Sequence, residues 1–398
     1  MATSQAASCR TARRLPPWVK YLAVIVLLYL FLVAVGLMGH VFKSMAKNPE
    51  VFDVKAFLIK STDNPVLGLF IGIFVTAVAQ SSSFTTSMVV TLVASGTMTV
   101  SCAIPIIMGS NIGTTVTNTL VSMGHITRKD EFKRAFAGAT LHDFFNLMAV
   151  LALLPLELIT AYFMDGRGLL QRIAEAIASL IKDLPGFEKT SPLKAIVNPV
   201  VDRVWDAMMW ARGVTGVSDG LYYGLAAAAS LLLIFFVLYY MVKTMRAAFI
   251  GRVEHALNSA IFKRPMTAMA SGAACTAVVQ SSSITTSLMV PLVGGGIVKL
   301  ERVFPFILGA NLGTTFTALL AALVVATPEC LTVALVHLLF NVLGIALIYP
   351  VRRIRALPIR LARWFGERAA TNRYVCPTYV VGVFFVLPWI LIWIMERW

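Results

Sequence analysis

Apolar runs of two lengths alternate along the chain, separated by short polar loops. Trp18 to Gly39, Ala103 to Met123, Ala137 to Phe163, Leu221 to Val242, Arg302 to Thr327, Leu331 to Pro350 and Tyr374 to Met395 form the first class. Each is close to the roughly 20 residues a helix needs to cross a bilayer, so the pattern predicts about seven spanning helices. Pro65 to Thr99 and Met266 to Val298 form the second class, and each is interrupted by a polar stretch near its middle. As one straight helix the first of these would run about 52 Å, against a hydrocarbon core of roughly 30 Å. Broken at the polar stretch, it yields two half-helices of about 24 Å, neither of which crosses alone. The pattern therefore predicts two re-entrant hairpins, with polar tips near the midplane that are buried in protein or face a cavity. Val41 to Asn64, where charges mix with Val51, Phe52, Phe57, Leu58 and Ile59, predicts an amphipathic helix on the outer interface.

The two interruptions are copies. Gln80-Ser81-Ser82-Ser83 is followed by Thr85-Thr86-Ser87, and Gln280-Ser281-Ser282-Ser283 by Thr285-Thr286-Ser287. Downstream, Gly109-Ser110-Asn111-Ile112-Gly113-Thr114-Thr115 matches Gly309-Ala310-Asn311-Leu312-Gly313-Thr314-Thr315, and the offset is 200 throughout. A duplicated polar cluster inside lipid-soluble sequence marks the two-fold core of a transporter. His142-Asp143-Phe144-Phe145-Asn146 against His337-Leu338-Leu339-Phe340-Asn341 recurs at an offset of 195. A His and an Asn four apart share a helix face, and they either tie neighbouring helices together or serve the transported species. Asp143 has no counterpart in the second copy and suits a cation site or an ion pair with nearby basic residues.

Charge sets the direction. Arg10, Arg13, Arg14 and Lys20 precede the first run, and further basic groups follow at Arg128 to Arg134, Lys243 to Arg264 and Arg352 to Arg373. Placed on the cytoplasmic side, these loops make the N-terminus cytoplasmic and the C-terminus extracellular, and the two hairpins enter from opposite faces. The formal charge of +15 then reflects topology and gives no reason to invoke nucleic acid. Hydrophobic residues make up 58% of the chain and the mean hydropathy is +0.80, which exclude an ordinary soluble domain. The resulting fold class is an all-α integral membrane protein with inverted-topology repeats. Its divisions are a tail over 1–17, a first repeat over 18–163, an extracellular segment with short surface helices within 164–220, a second repeat over 221–350, a basic cytoplasmic linker over 351–373 and a terminal span over 374–398. A multi-pass protein of the plasma (inner) membrane is expected.

No Asp, Glu, Lys or Arg occurs between Pro65 and Thr127, from Met266 to Val298 or from Val303 to Pro328. The tips offer only hydroxyls, amides and the backbone that the breaks release. Half-helix N-termini suit an anion. Unwound carbonyls with Ser, Thr and Gln oxygens suit a small hard cation such as sodium. An anion carried without a fixed counter-charge is costly to desolvate, so the site favours cation-coupled anion transport, although a neutral substrate would leave the same trace. Ser and Thr also bond back to their own helix or let helices pack closely, and Asn111 and Asn311 also suit helix caps. No Ser-His-Asp, metal-ligand or paired-carboxylate arrangement lies at the tips, so no enzyme is expected.

These stretches, AVAQSSSFTTSMVV, AIPIIMGSNIGTTVTNTLV and KRAFAGATLHDFFN with AVVQSSSITTSLMV and FPFILGANLGTTFTALLAAL, resemble the type II sodium-dependent phosphate cotransporters. The likeness covers roughly 65–156 and 265–350. It implies alternating-access uptake of inorganic phosphate driven by sodium, with sodium as the coupling ion and no organic cofactor. By this resemblance Gln280, Ser281, Thr314 and Thr317 hold sodium, with Thr114 and Thr115 as further candidates. Gln80, Ser81, Ser82, Ser83, Ser282 and Ser283, with Asn111 and Asn311, then face phosphate. A sodium-coupled carrier of another oxyanion or a carboxylate, or a passive anion pore, would reuse the same architecture. Unlike animal members, the segment after the first repeat lacks cysteines and Asn-x-Ser/Thr sites.

Overall fold

The apolar runs fold as helices in a computed structural model that describes residues 17–47, 64–182, 192–256, 261–325, 327–372 and 374–395. The first half contains α1 (Pro17–Lys47), α2 (Pro65–Ala79), α3 (Ser82–Ala94), α4 (Val100–Gly113), α5 (Thr115–Ser122), α6 (Lys129–Phe163) and α7 (Leu169–Lys182). The second contains α8 (Pro192–Thr215), α9 (Asp219–Ala256), α10 (Pro265–Val279), α11 (Ser282–Ser287), α12 (Met289–Gly294), α13 (Leu300–Val325) and α14 (Pro328–Ile348). It ends with α15 (Arg352–Thr371), α16 (Val375–Val381) and α17 (Leu387–Met395). Seven segments of the described residues are long and apolar enough to cross a membrane, and Pro65–Ala79, Ser82–Ala94, Pro265–Val279 and Ser282–Gly294 are apolar but shorter. The chain is a multi-pass membrane protein. Most of the interfacial helix expected over Val41 to Asn64 lies outside the described residues; its first part, to Lys47, continues α1.

Close helix contacts fix the direction of each element. Gly68 lies against Pro105, Gly72 against the carbonyl of Ile106, and Gly113 against Ile73 and Thr76, so α2 and α4 run parallel. A Cβ at Gly72 or Gly109 would overlap the facing backbone, and small residues four apart are what allow that approach. Because α4 starts beside the start of α2, α3 must carry the chain back from the tip. Helix, break and returning helix form a hairpin. The second copy repeats this: Gly272 meets the Phe306 carbonyl, Gly309 the Met269 carbonyl and Gly313 Ala273 with Thr276. The turns after each hairpin match as well, with Gly96 at φ 74° and Gly296 at φ 73°.

The two hairpins point at each other. From the level of the first tip, α5 continues away from the base of its hairpin, and α6 begins at that far end. There Arg134 donates Nε to the carbonyl of Gly294 at 2.8 Å, and Gly138 packs on Val293. Gly294 ends the return helix of the second hairpin, so the second base sits at the opposite end of the molecule from the first. The mirror contact is Cys330 Sγ on the carbonyl of Val90 at 3.4 Å, at the start of α14 and the end of α3. The repeats are thus antiparallel around a shared centre.

Several helices outrun their apolar stretches. α6 starts at Lys129 and α9 reaches Ala256, because helical bonding does not stop where hydrophobicity does. The span expected over Ala103 to Met123 is divided at Thr114, while its counterpart α13 is continuous. Residues 192–215 form a 24-residue helix along α1, not short surface helices. Tyr29 bonds the Ile196 carbonyl, Gly36 packs on Val201, and His40 meets Trp205. Its charges Asp202, Arg203 and Asp206 hide this packing face from a linear reading. Glu157 of α6 caps α7 through the amides of Leu170 and Gln171. The basic linker is the helix α15, packed on α6 where Gly366 meets Lys133 and Ala137.

Candidate functional site

Each tip is built by one residue in an unusual conformation. Gln80 sits at φ 53°, ψ 26° and Gln280 at φ 55°, ψ 24°, both left-handed. For a residue with a side chain this costs about 1–2 kcal/mol, yet it recurs in both copies. The following Ser81 and Ser281 are extended, and their hydroxyls cap the amides of Phe84 and Ile284. Each Gln amide turns back to a carbonyl at the end of its own first helix, Ala77 or Ala277, at 2.5 Å. A half-helix C-terminus and a half-helix N-terminus therefore meet at each tip, bringing partial negative and partial positive charge into one small volume.

The tips meet each other. Ser83 of the first copy donates its hydroxyl to Thr317 Oγ1 at 3.4 Å and lies 3.5 Å from the backbone oxygen of Gln280. Thr317 in turn donates to Gln280 Oε1 at 2.8 Å. The same bond closes the first copy, from Thr117 to Gln80 Oε1 at 2.7 Å. Asn118 and Thr286 form a second tie between the halves at 2.9 Å. A cavity of about 340 Å³ lies at this junction. Gln80, Ser81, Thr117, Gln280, Ser281 and Ser283 supply its polar wall, and Phe84, Phe235, Leu238 and Tyr239 its apolar wall. Among the described residues, no charged side chain lines it.

The halves are not equivalent in detail. Gln80 is exposed and Gln280 is 6% exposed. Thr76 and Thr85 bond across the first break at 2.8 Å, whereas Thr276 Oγ1 has no partner among the described residues.

The remaining candidates are placed around this junction. Ser82 and Ser282 are buried behind the tips, their carbonyls accepting from Thr86 and Thr286. Thr114 and Thr314 bond back to Ser110 and Ala310, both at 3.1 Å. Thr115 lies 3.2 Å from His142 Nδ1. Asn111 and Asn311 do not line the cavity; they join the His pairs in a crossed arrangement. His142 Nε2 lies 2.5 Å from Asn311 Oδ1, and Asn311 Nδ2 donates to Asn146 Oδ1 at 2.9 Å. Reciprocally, His337 Nε2 lies 3.4 Å from Asn111 Oδ1. The third recurrence thus ties one repeat to the other. Asp143 is buried beside this network, and its Oδ1 has no partner among the described residues. Thr117 was the missed residue: the offset of 200 that pairs it with Thr317 was its signal.

Fold and site together define a multi-pass membrane protein with an inverted internal duplication and a neutral polar centre. The chain belongs to the Na+/Pi-cotransporter family, whose pattern matches residues 30–180 and 233–361. It is 36% identical over 422 residues to sodium-dependent phosphate transport protein 2A of Rattus norvegicus, covering 91% of this chain and 65% of that protein. It is 37% identical over 424 residues to the 2A protein of Ovis aries, with coverage of 91% and 65%. With protein 2B of Homo sapiens the identity is 33% over 403 residues, 82% of this chain and 58% of that one. The chain therefore spans about 65% of the length of the first of these relatives. No solved structure matches it.

Proposed function

We propose that the chain is a secondary transporter that couples sodium movement to uptake of inorganic phosphate, with both held where the two tips meet. The observation that carries this reading is the uncharged cavity formed jointly by Gln80, Ser81, Gln280, Ser281 and Ser283. Phosphate is placed against the N-termini of α3 and α11, whose first amides and Ser83 and Ser283 hydroxyls donate, while Ser82 and Ser282 stay buried behind the tips. Sodium is placed among the oxygens of Gln280, Ser281, Thr314 and Thr317, where the Thr317 hydrogen bond to Gln280 would give way to the ion. With no Lys or Arg among the described residues that line the cavity, the cation lowers the charge that must be desolvated. The relatives' names, which specify sodium-dependent phosphate transport, support the same pairing.

Alternating access follows from the inverted halves. The basic end, where α6 begins and α15 packs, is taken as cytoplasmic. The structure then represents one arrangement, with the first glutamine open and the second closed; exchanging those environments exposes the site to the other side. The test is uptake of labelled phosphate by proteoliposomes under inward gradients of sodium, lithium or potassium. Sodium is expected to drive accumulation above equilibrium, with sulfate and dicarboxylates competing poorly. Equal uptake under all three cations contradicts the coupling.

A further inference from the structure

A second cavity, of about 730 Å³, opens at the basic end between α6, the turn into α13, and α15. Lys133, Arg134, Lys299, Arg302 and Arg363 face it together with Glu301 and Glu367. Two of the cations are paired: Lys133 with Glu367 at 2.8 Å, and Arg363 with Glu301. The Lys133 hydrogen bond holds the Glu367 carboxyl below its ordinary range. Arg134 spends only its Nε, on the Gly294 carbonyl, and Lys299 and Arg302 take part in no ion pair among the described residues. Three positive charges are left over.

The hairpin itself does not require them. At the offset of 200, Lys299, Glu301 and Arg302 correspond to Thr99, Ser101 and Cys102, and the first hairpin makes the same turn with those neutral residues. The inside preference for basic residues explains their end of the molecule but not their convergence on one cavity. α15 adds a second clue. Its exposed face carries Ile354, Leu357, Leu361 and Trp364 at helical spacing, among arginines, which suits a helix lying at headgroup depth.

We propose that this cavity binds a phosphate group, carried by an anionic lipid headgroup or supplied as free phosphate. Lys299 and Arg302 contact it directly, and the paired Lys133 and Arg363 form the rim. The site stands independently of the transport reading, since it lies apart from the tips.

The test uses the purified full chain in sodium-free choline buffer. Labelled inorganic phosphate is measured by equilibrium dialysis, and retention of phosphatidylglycerol against phosphatidylcholine by native mass spectrometry. Saturable binding of one equivalent in the first arm identifies free phosphate; selective retention in the second identifies the headgroup. In either arm the Lys299→Gln, Arg302→Gln double variant and Val298→Asp are expected to weaken binding by about tenfold or more. Glu301→Gln, which frees Arg363, is expected to tighten it, an outcome that misfolding does not mimic. No selective binding in either arm, or unchanged binding in all three variants, overturns the proposal.

Discussion

Gln80 and Gln280 do two jobs at once: they stop one helix in a left-handed turn and present an amide oxygen to a threonine, Thr117 or Thr317. A hydrogen bond to a charged partner is worth about 1.5–3 kcal/mol, against roughly 0.6 kcal/mol for a hydroxyl that only packs. Gln280→Ala and Thr317→Ala are therefore expected to lower apparent sodium affinity roughly ten- to a hundred-fold in uptake assays. Ser83→Ala is expected to act first on phosphate affinity at saturating sodium. Ser179→Ala, on an exposed face of α7, serves as the control. Thr314 is the sharper case, since its hydroxyl bonds to Ala310 in the structure. If Thr314→Ala changes sodium dependence no more than Ser179→Ala does, that residue leaves the proposed sodium set. Duplication made the tips legible in the sequence. It did not say that Asn111 and Asn311 would be turned to His337 and His142, because pairing between repeats is set by tertiary packing.

At the scale of elements, glycine decides how close the helices come. A Cβ at Gly72, Gly109, Gly272 or Gly309 would meet a facing carbonyl, whereas one at Gly39 meets nothing within 4 Å. Overpacking of this kind costs about 1–3 kcal/mol. Gly39→Ala instead removes backbone freedom from the unfolded chain and is worth about 0.5–1 kcal/mol in stability. Thermal unfolding of the purified protein is thus expected to show Gly309→Ala falling and Gly39→Ala rising. A Gly309→Ala protein as stable as the parent would mean that the helices part easily, contrary to the packing described. The helix breaks at Gln80 and Gln280 were readable because half-length apolar runs flank a serine cluster. The seat of α8 along α1 was not, because charged positions break its apolar face.

At the scale of the molecule, two independent lines give the same antiparallel sense. The basic loops predict hairpin bases on opposite sides, and the contacts of Gly294 with α6 and of Val90 with Cys330 put them at opposite ends of the fold. Orientation in the bilayer is checked with single cysteines in a background lacking Cys9, Cys102, Cys275, Cys330 and Cys376. Cysteine at the exposed Thr215 is expected to react with an impermeant reagent from outside, and at the exposed Arg264 only from inside. Labelling of both from one side would undo the inverted arrangement. The central claim, that two opposed tips make one site, is tested most directly by a double-mutant cycle on Ser83 and Thr317, which face each other across the repeats at 3.4 Å. Apparent phosphate and sodium affinities are measured for Ser83→Ala, Thr317→Ala and the pair. The account predicts a coupling energy of about 0.5–3 kcal/mol, the double loss being smaller than the sum of the single ones. Losses that add to within about 0.5 kcal/mol would mean two separate sites and contradict it.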